Sequence, residues 1–156
     1  MKFRMVDRIL AWEPRRSIRG IKAVSFEEYQ LREPLADEPC LPETLLVESF
    51  LQLGNWLVIL SSDFTEMALV VRFEEIRFLD RLRPGESLRM EVEARSYRSD
   101  GIVLDGRGLA GSRTIAEGWG CLATPVPLAD YHDPDSLRVL FSEIYLPERE
   151  PTGEPA

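Results

Sequence analysis

The sequence predicts an α+β fold, an antiparallel sheet wrapped around one long central helix and completed by a second copy of itself. Three observations carry the prediction. Residues 45–60 form an apolar run of helical length, broken only by a few polar positions. Leu88, Met90, Val92 and Ala94 alternate with Arg89, Glu91, Glu93 and Arg95, the period-two pattern of a strand with one buried and one wet face. Two strand-like segments precede the helix and a run of them follows, so one helix must serve the buried face of the whole sheet.

Residues 6–12 and 17–24 carry β-branched content on either side of the charged turn Glu13-Pro14-Arg15-Arg16 and read as a first pair of strands. Residues 26–40 are acidic and punctuated by proline, which suits a loop with one helical turn. Pro42 fits the first helical position, where its missing N–H costs nothing, and the helix runs from there to about Ser61. Residues 67–73, 76–79, 87–96, 102–109 and 114–123 follow as antiparallel strands, with Pro84-Gly85 and Asp100-Gly101 as turns. Leu137, Leu140, Phe141 and Ile144 give residues 135–145 one apolar helical face. The expected domain is residues 1–146, with a proline- and glutamate-rich disordered tail at 147–156. Because the long helix is apolar on almost every side, the sheet of a second subunit is the economical cover for the rest of it.

A chain of 156 residues fits one domain. Its 27 acidic and 19 basic side chains give a net charge of -8, which speaks against a nucleic-acid partner, since such binding rests on neutralising phosphates. The two cysteines, Cys40 and Cys121, have no metal-site spacing and read as reduced core thiols; no metal and no cofactor is expected. Charged residues interrupt the first ten positions, so no signal peptide is read there and the cytoplasm is the expected location. Glu48, Ser49, Gln52 and Asn55 would be costly in lipid, which makes the long helix a core helix and not a membrane span.

Thr44, Glu48, Gln52 and Asn55 are spaced by four, four and three, which draws one polar line along that helix. An uncompensated buried carboxylate costs several kcal/mol, so Glu48 either has a partner or is held towards its neutral form. Two readings follow. Glu48 is a general acid, which needs a neutral carboxyl, or it pairs with an arginine such as Arg72 or Arg77 and sets the register of a dimer.

The segment FRMVDRIL, the stretch Pro39-Cys40-Leu41-Pro42 running into TLLVESFLQLGNW, and FEEIRFLDRLRPGESLRME further on together resemble the beta-hydroxyacyl-acyl-carrier-protein dehydratases. The resemblance spans about residues 3–123 and implies a hotdog fold. It also implies a loop motif of histidine, phenylalanine, proline, glycine, any residue and proline before the helix, and a glutamate within it. Here Pro34, Leu35, Ala36, Asp37, Glu38 and Pro39 align with the loop, so only the last proline is kept. Glu48 takes the place of the family glutamate and Gln52 that of the glutamine after it, while Glu43 replaces the glycine that follows Pro42.

Dehydration of a 3-hydroxyacyl thioester requires a base for the C2 proton, an acid for the leaving hydroxyl and N–H donors at the thioester oxygen. The resemblance assigns these to the histidine, the glutamate and amides near the helix start. It makes Glu48 the acid and places Pro39, Pro42, Glu43 and Gln52 against the substrate. The expected function is a dehydratase-like protein of fatty-acid or polyketide-type metabolism with an altered site. Its expected partners are an acyl thioester, carried on acyl carrier protein or coenzyme A, and a second hotdog subunit. The alternatives are a non-catalytic acyl-binding subunit, a heterodimer member lending Glu48 to a histidine-bearing partner, and a hotdog thioesterase. The sole histidine, His132, reads as a surface residue remote from Glu48, and Glu33 and Asp37 as poor substitute bases. Arg72, Arg77, Arg81 and Arg83 read as an ordinary solvated face, with docking of an acidic carrier as the alternative.

Overall fold

A computed structural model describes residues 3–31 and 38–148. β1 (Arg8–Glu13) and β2 (Ser17–Ala23) form a hairpin, a 3₁₀ segment covers Phe26–Leu31, and α1 spans Glu43–Ser61. After it come β3 (Glu66–Arg72), β4 (Glu75–Phe78), β5 (Ser87–Arg98), β6 (Gly101–Ala110) and β7 (Arg113–Pro127), then a 3₁₀ turn at Leu128–Asp130 and α2 (Pro134–Ile144). The strands make one antiparallel sheet in the order β1-β2-β5-β6-β7-β3, and β4 also pairs with β7. The 15 residues of β7 are long enough to hold β3 with one half and β4 with the other. Gly120 sits between these halves with φ +63, and its N–H donates to Asp105 Oδ1 at 2.9 Å. That bulge bends the strand at a position only glycine enters freely.

β5 keeps the alternation expected of it, with Leu88, Met90 and Val92 buried beneath α1 and Arg89, Glu93 and Arg95 outside. Leu46, Leu53, Leu57 and Val58 of α1 are at most 1% exposed and fill the curve of the sheet. Phe50 packs closely on β6, where a Cβ on Gly106 or Gly108 would stand 3.2 or 2.8 Å from its ring. Pro42 differs slightly from expectation. It is the N-cap residue at ψ 143, and the helix proper begins at Glu43. The 19 residues of α1, at a mean hydropathy of 1.4, are long and apolar enough to cross a membrane, but half of that stretch is buried within the fold.

α2 closes over the side of α1 that the sheet leaves open. Asp133 caps it by accepting from the Ser136 N–H at 3.1 Å, and Pro134 occupies its first turn. Phe141 packs on Trp56 and Phe64, with ring centroids 6.0 and 6.3 Å away, and stacks on Tyr145 at 5.0 Å. Asp63 and Phe64 both have positive φ, a strained turn for a bulky residue. Arg138 of α2 holds that turn, donating to Asp63 Oδ1 at 3.1 Å and lying 4.4 Å over the Phe64 ring. Beyond α2, Tyr145 bridges Ile9 in parallel and Leu146 N donates to Ile9 O at 3.0 Å, so residues 145 and 146 lie along the outer edge of β1. Of the expected tail, Glu148 is described and pairs with Arg89 at 2.6 Å; residues 149–156 lie outside the described residues.

Candidate active site

The entry to α1 is tied down before the helix starts. Leu41 is buried and its N–H donates to Leu82 O at 2.8 Å, while the Pro42 carbonyl accepts from the Leu45 and Leu46 amides at 2.9 and 3.1 Å. Pro39 and Pro42 are half-buried, and Glu43 is exposed in the first turn, where the helix dipole favours an acidic side chain. Pro34, Leu35, Ala36, Asp37 and Glu33 lie outside the described residues. Glu38, at the end of that loop, pairs with Arg83 at 3.3 Å.

Glu48 is half-buried rather than sealed in the core, because the sheet reaches only one side of α1. It is paired with neither Arg72 nor Arg77. Arg77 bonds Glu75 at 2.6 Å and lies 5.1 Å over the Trp119 ring on the far part of the sheet. The partner of Glu48 is Gln52, one turn on, whose Nε2 donates to Oε1 at 2.7 Å. Gln52 is itself fixed, since its Oε1 accepts from Met5 N at 2.7 Å and its Nε2 also reaches Phe3 O at 3.3 Å. With its carbonyl committed to a backbone N–H, Gln52 must turn its amide to Glu48, and that orients the carboxyl. The N-terminal segment, 47 residues away in sequence, thereby sets the geometry of the helix acid.

Two cavities flank this part of α1. A groove of about 420 Å³ between α1 and α2 is lined by Arg4, Glu48, Gln52, Trp56, His132 and Leu140, among others. His132 is thus exposed, as expected, and it lines the same groove as Glu48. Its distance in sequence hid this, because the shared groove exists only once α2 folds back onto Trp56 and Phe64. The second cavity, of about 60 Å³, is almost wholly apolar, with walls from Val47, Phe50 and Leu51 of α1, Phe73 and Ile76 at β4, and Cys121 of β7. Asn55 lines both cavities and its Oδ1 accepts from Ala68 N at 2.9 Å, which fixes β3 to the helix.

The polar stripe on α1 is therefore the border between a wet groove and a dry slot. Thr44, at its start, is exposed and belongs to neither cavity. Burial, with the Asp105 charge as the smaller cause, pushes the Cys121 thiol up to about 11, so it is no nucleophile at neutral pH. Among the described residues no three His, Cys, Asp or Glu side chains are grouped to hold a metal ion.

A single helix gripped by a seven-stranded antiparallel sheet defines a hotdog-fold protein. Solved structures share this architecture at identities that speak for the fold alone. One is smu.793 from Streptococcus mutans bound to acetyl CoA, with a TM-score of 0.62 and 12% identity over 77% of this chain and 88% of that one. Another is a hot-dog-like protein from Thermanaerovibrio acidaminovorans, with a TM-score of 0.61 and 17% identity over 83% and 91%. The FabA-like domain matches residues 1–118, and the chain belongs to that family. Its relatives include the 3-hydroxyacyl-[acyl-carrier-protein] dehydratase FabZ of Aliarcobacter butzleri, 32% identical over 119 residues, covering 72% of this chain and 81% of the relative. FabZ of Pelotomaculum thermopropionicum is 35% identical over 109 residues, 69% of this chain and 76% of the relative. The matched segment runs from β1 into the first part of β7 and is that of a dehydratase-like hotdog protein, and α2 lies beyond it.

Proposed function

We propose that the chain handles 3-hydroxyacyl thioesters, delivered on an acyl carrier protein, at the groove beside Glu48, with Glu48 as the acid that protonates the leaving hydroxyl. The observation that carries this reading is the Glu48–Gln52 hydrogen bond, which stands where a polar groove adjoins an apolar slot. An acyl thioester has the same two-part character, a polar head and an apolar chain. The names of the FabZ relatives supply the substrate class. Pro39 and Pro42 shape the entry, and Gln52 positions the acid.

The site departs from the family arrangement at two positions. Pro34 carries no titratable group where the family has its histidine, and the Glu43 carboxylate stands where the family has a glycine. The protein works as a dimer in this reading. The outer edge of β3 has no neighbour among the described strands, and Val70, Val71 and Phe73 along it are 38, 61 and 37% exposed. The test is to incubate the purified protein with a 3-hydroxyacyl thioester and follow enoyl absorbance. Turnover is expected in the parent, and Glu48→Gln lowers it by about 10²-fold or more, the usual worth of a positioned general acid. A Glu48→Gln variant as active as the parent refutes the assignment. Binding without turnover in the parent identifies an acyl-binding subunit instead, and hydrolysis to the free acid identifies a thioesterase.

A further inference from the structure

We propose that His132, supplied by the C-terminal segment of the same chain, is the base that removes the C2 proton in the Glu48 groove. The inference rests on the dehydration reading above and adds the group that this reading lacks.

Abstraction of a weakly acidic C–H at neutral pH calls for an acceptor that titrates near neutrality, which among side chains is ordinarily histidine. The chain has one histidine. It follows β7, outside the segment matched by the family domain, and its side chain lines the same groove as Glu48. The backbone there is held from both directions. On one side Leu128 is fully buried, its N–H donates to Thr65 O at 2.9 Å, and its carbonyl accepts from Tyr131 N and His132 N at 3.0 and 2.9 Å. On the other side Asp133 caps α2, which Phe141 anchors to Trp56 and Phe64. The turn that carries His132 is thus braced on both sides.

The rest of the groove suits the assignment. Glu48 enters from α1, with its orientation set by Gln52, while His132 enters from the turn before α2, so acid and base approach from different walls. Arg4 is the other ionisable side chain of the lining, and its fixed positive charge favours the negative charge that develops on the thioester oxygen. Trp56, Ile59, Leu137 and Leu140 make the remaining wall apolar.

In the step so assigned, the imidazole nitrogen takes the C2 proton and the C–H electron pair becomes the C2–C3 π bond. The C3–O bond breaks with its electrons on oxygen, and that oxygen takes the proton of the Glu48 carboxylic acid. The products are an enoyl thioester and water. Transfer of the imidazolium proton to the Glu48 carboxylate through that water restores both groups, and no oxidant or reductant is involved.

The test uses the full chain, His132→Gln and Glu48→Gln, with a 3-hydroxyacyl-N-acetylcysteamine thioester as the probe. Two readouts are taken: enoyl formation, and carbethoxylation of the single histidine by diethyl pyrocarbonate with and without the probe. The expected result is that His132→Gln lowers kcat by roughly 10²-fold with KM little changed. In Glu48→Gln, which still binds, the probe protects His132 from carbethoxylation. Full activity in His132→Gln beside a disabled Glu48→Gln overturns the role of His132 and leaves the dehydration reading standing. Absence of turnover in the parent overturns both.

Discussion

Gln52 controls the candidate acid more tightly than its place on the helix suggests, because among the described residues it is the side chain that joins Glu48 to the N-terminal segment. In Gln52→Leu the Met5 N–H, in a residue 2% exposed, loses its acceptor, and Glu48 loses its donor. An unsatisfied buried amide costs about 1–3 kcal/mol. We expect a stability loss of about 2 kcal/mol in urea with an unchanged m-value, together with reduced turnover because the carboxyl is no longer oriented. The other residue with a direct solution signature is Cys121, whose folded thiol is raised to about 11 from 9.0. A raised acid contributes stability that is fully present below the unfolded value and is lost as pH climbs through the folded one. Stability is therefore expected to fall between about pH 9 and 11, and Cys121→Ala is expected to flatten that fall in pH-dependent denaturation.

Most elements are legible in the sequence, for reasons that differ between helix and strand. β5 is read from strict alternation, and α1 from an apolar run of fixed length opened by proline, since both patterns are local. The line of Glu48 and Gln52 is local too, because residues four apart share a helix face. Long-range contacts are not legible in that way. The clasp of Met5 on Gln52 and the sharing of one groove by His132 and Glu48 both depend on segments meeting in three dimensions. The apolarity of its neighbours overstates the burial of Glu48, because periodicity names a polar face without saying whether anything covers it. α2 shows the same limit. Its apolar face is plain in the sequence, and its partner is not. Phe141 provides that partner contact, so Phe141→Ala is expected to cost roughly 2 kcal/mol, below a fully buried ring because this one is only half-buried. Hydrogen exchange should then speed up in α2 and in the strained turn at Asp63 and Phe64, while β5 and β6 stay protected.

The molecule carries its net charge of -8 with most carboxylates on the sheet face opposed by arginines. Arg95 pairs with Asp105 at 2.7 Å and Arg107 with Glu91 at 2.8 Å. Exposed pairs of this kind contribute little to stability, with a median of about 0–1 kcal/mol, and here they keep the open face of the sheet polar. The apolar exception lies along β3, where Val71 is 61% exposed. Val71→Glu is expected to convert the proposed dimer to monomers, read as a halving of mass in light scattering at micromolar protein. An unchanged mass removes β3 from the interface.

The return of the chain at Tyr145 and Leu146 has a consequence for how far association can proceed. Its bridge and hydrogen bond to Ile9 occupy the margin of β1, and the Glu148 contacts with Arg89 and Arg19 hold it there. Among the described residues, one flank of the sheet is thus partly covered within the chain at Ile9, and the β3 flank is left open. In the proposed dimer, two such sheets would meet open flank to open flank and use up the freest edge of each, so growth is expected to stop at a pair instead of running on into a fibre.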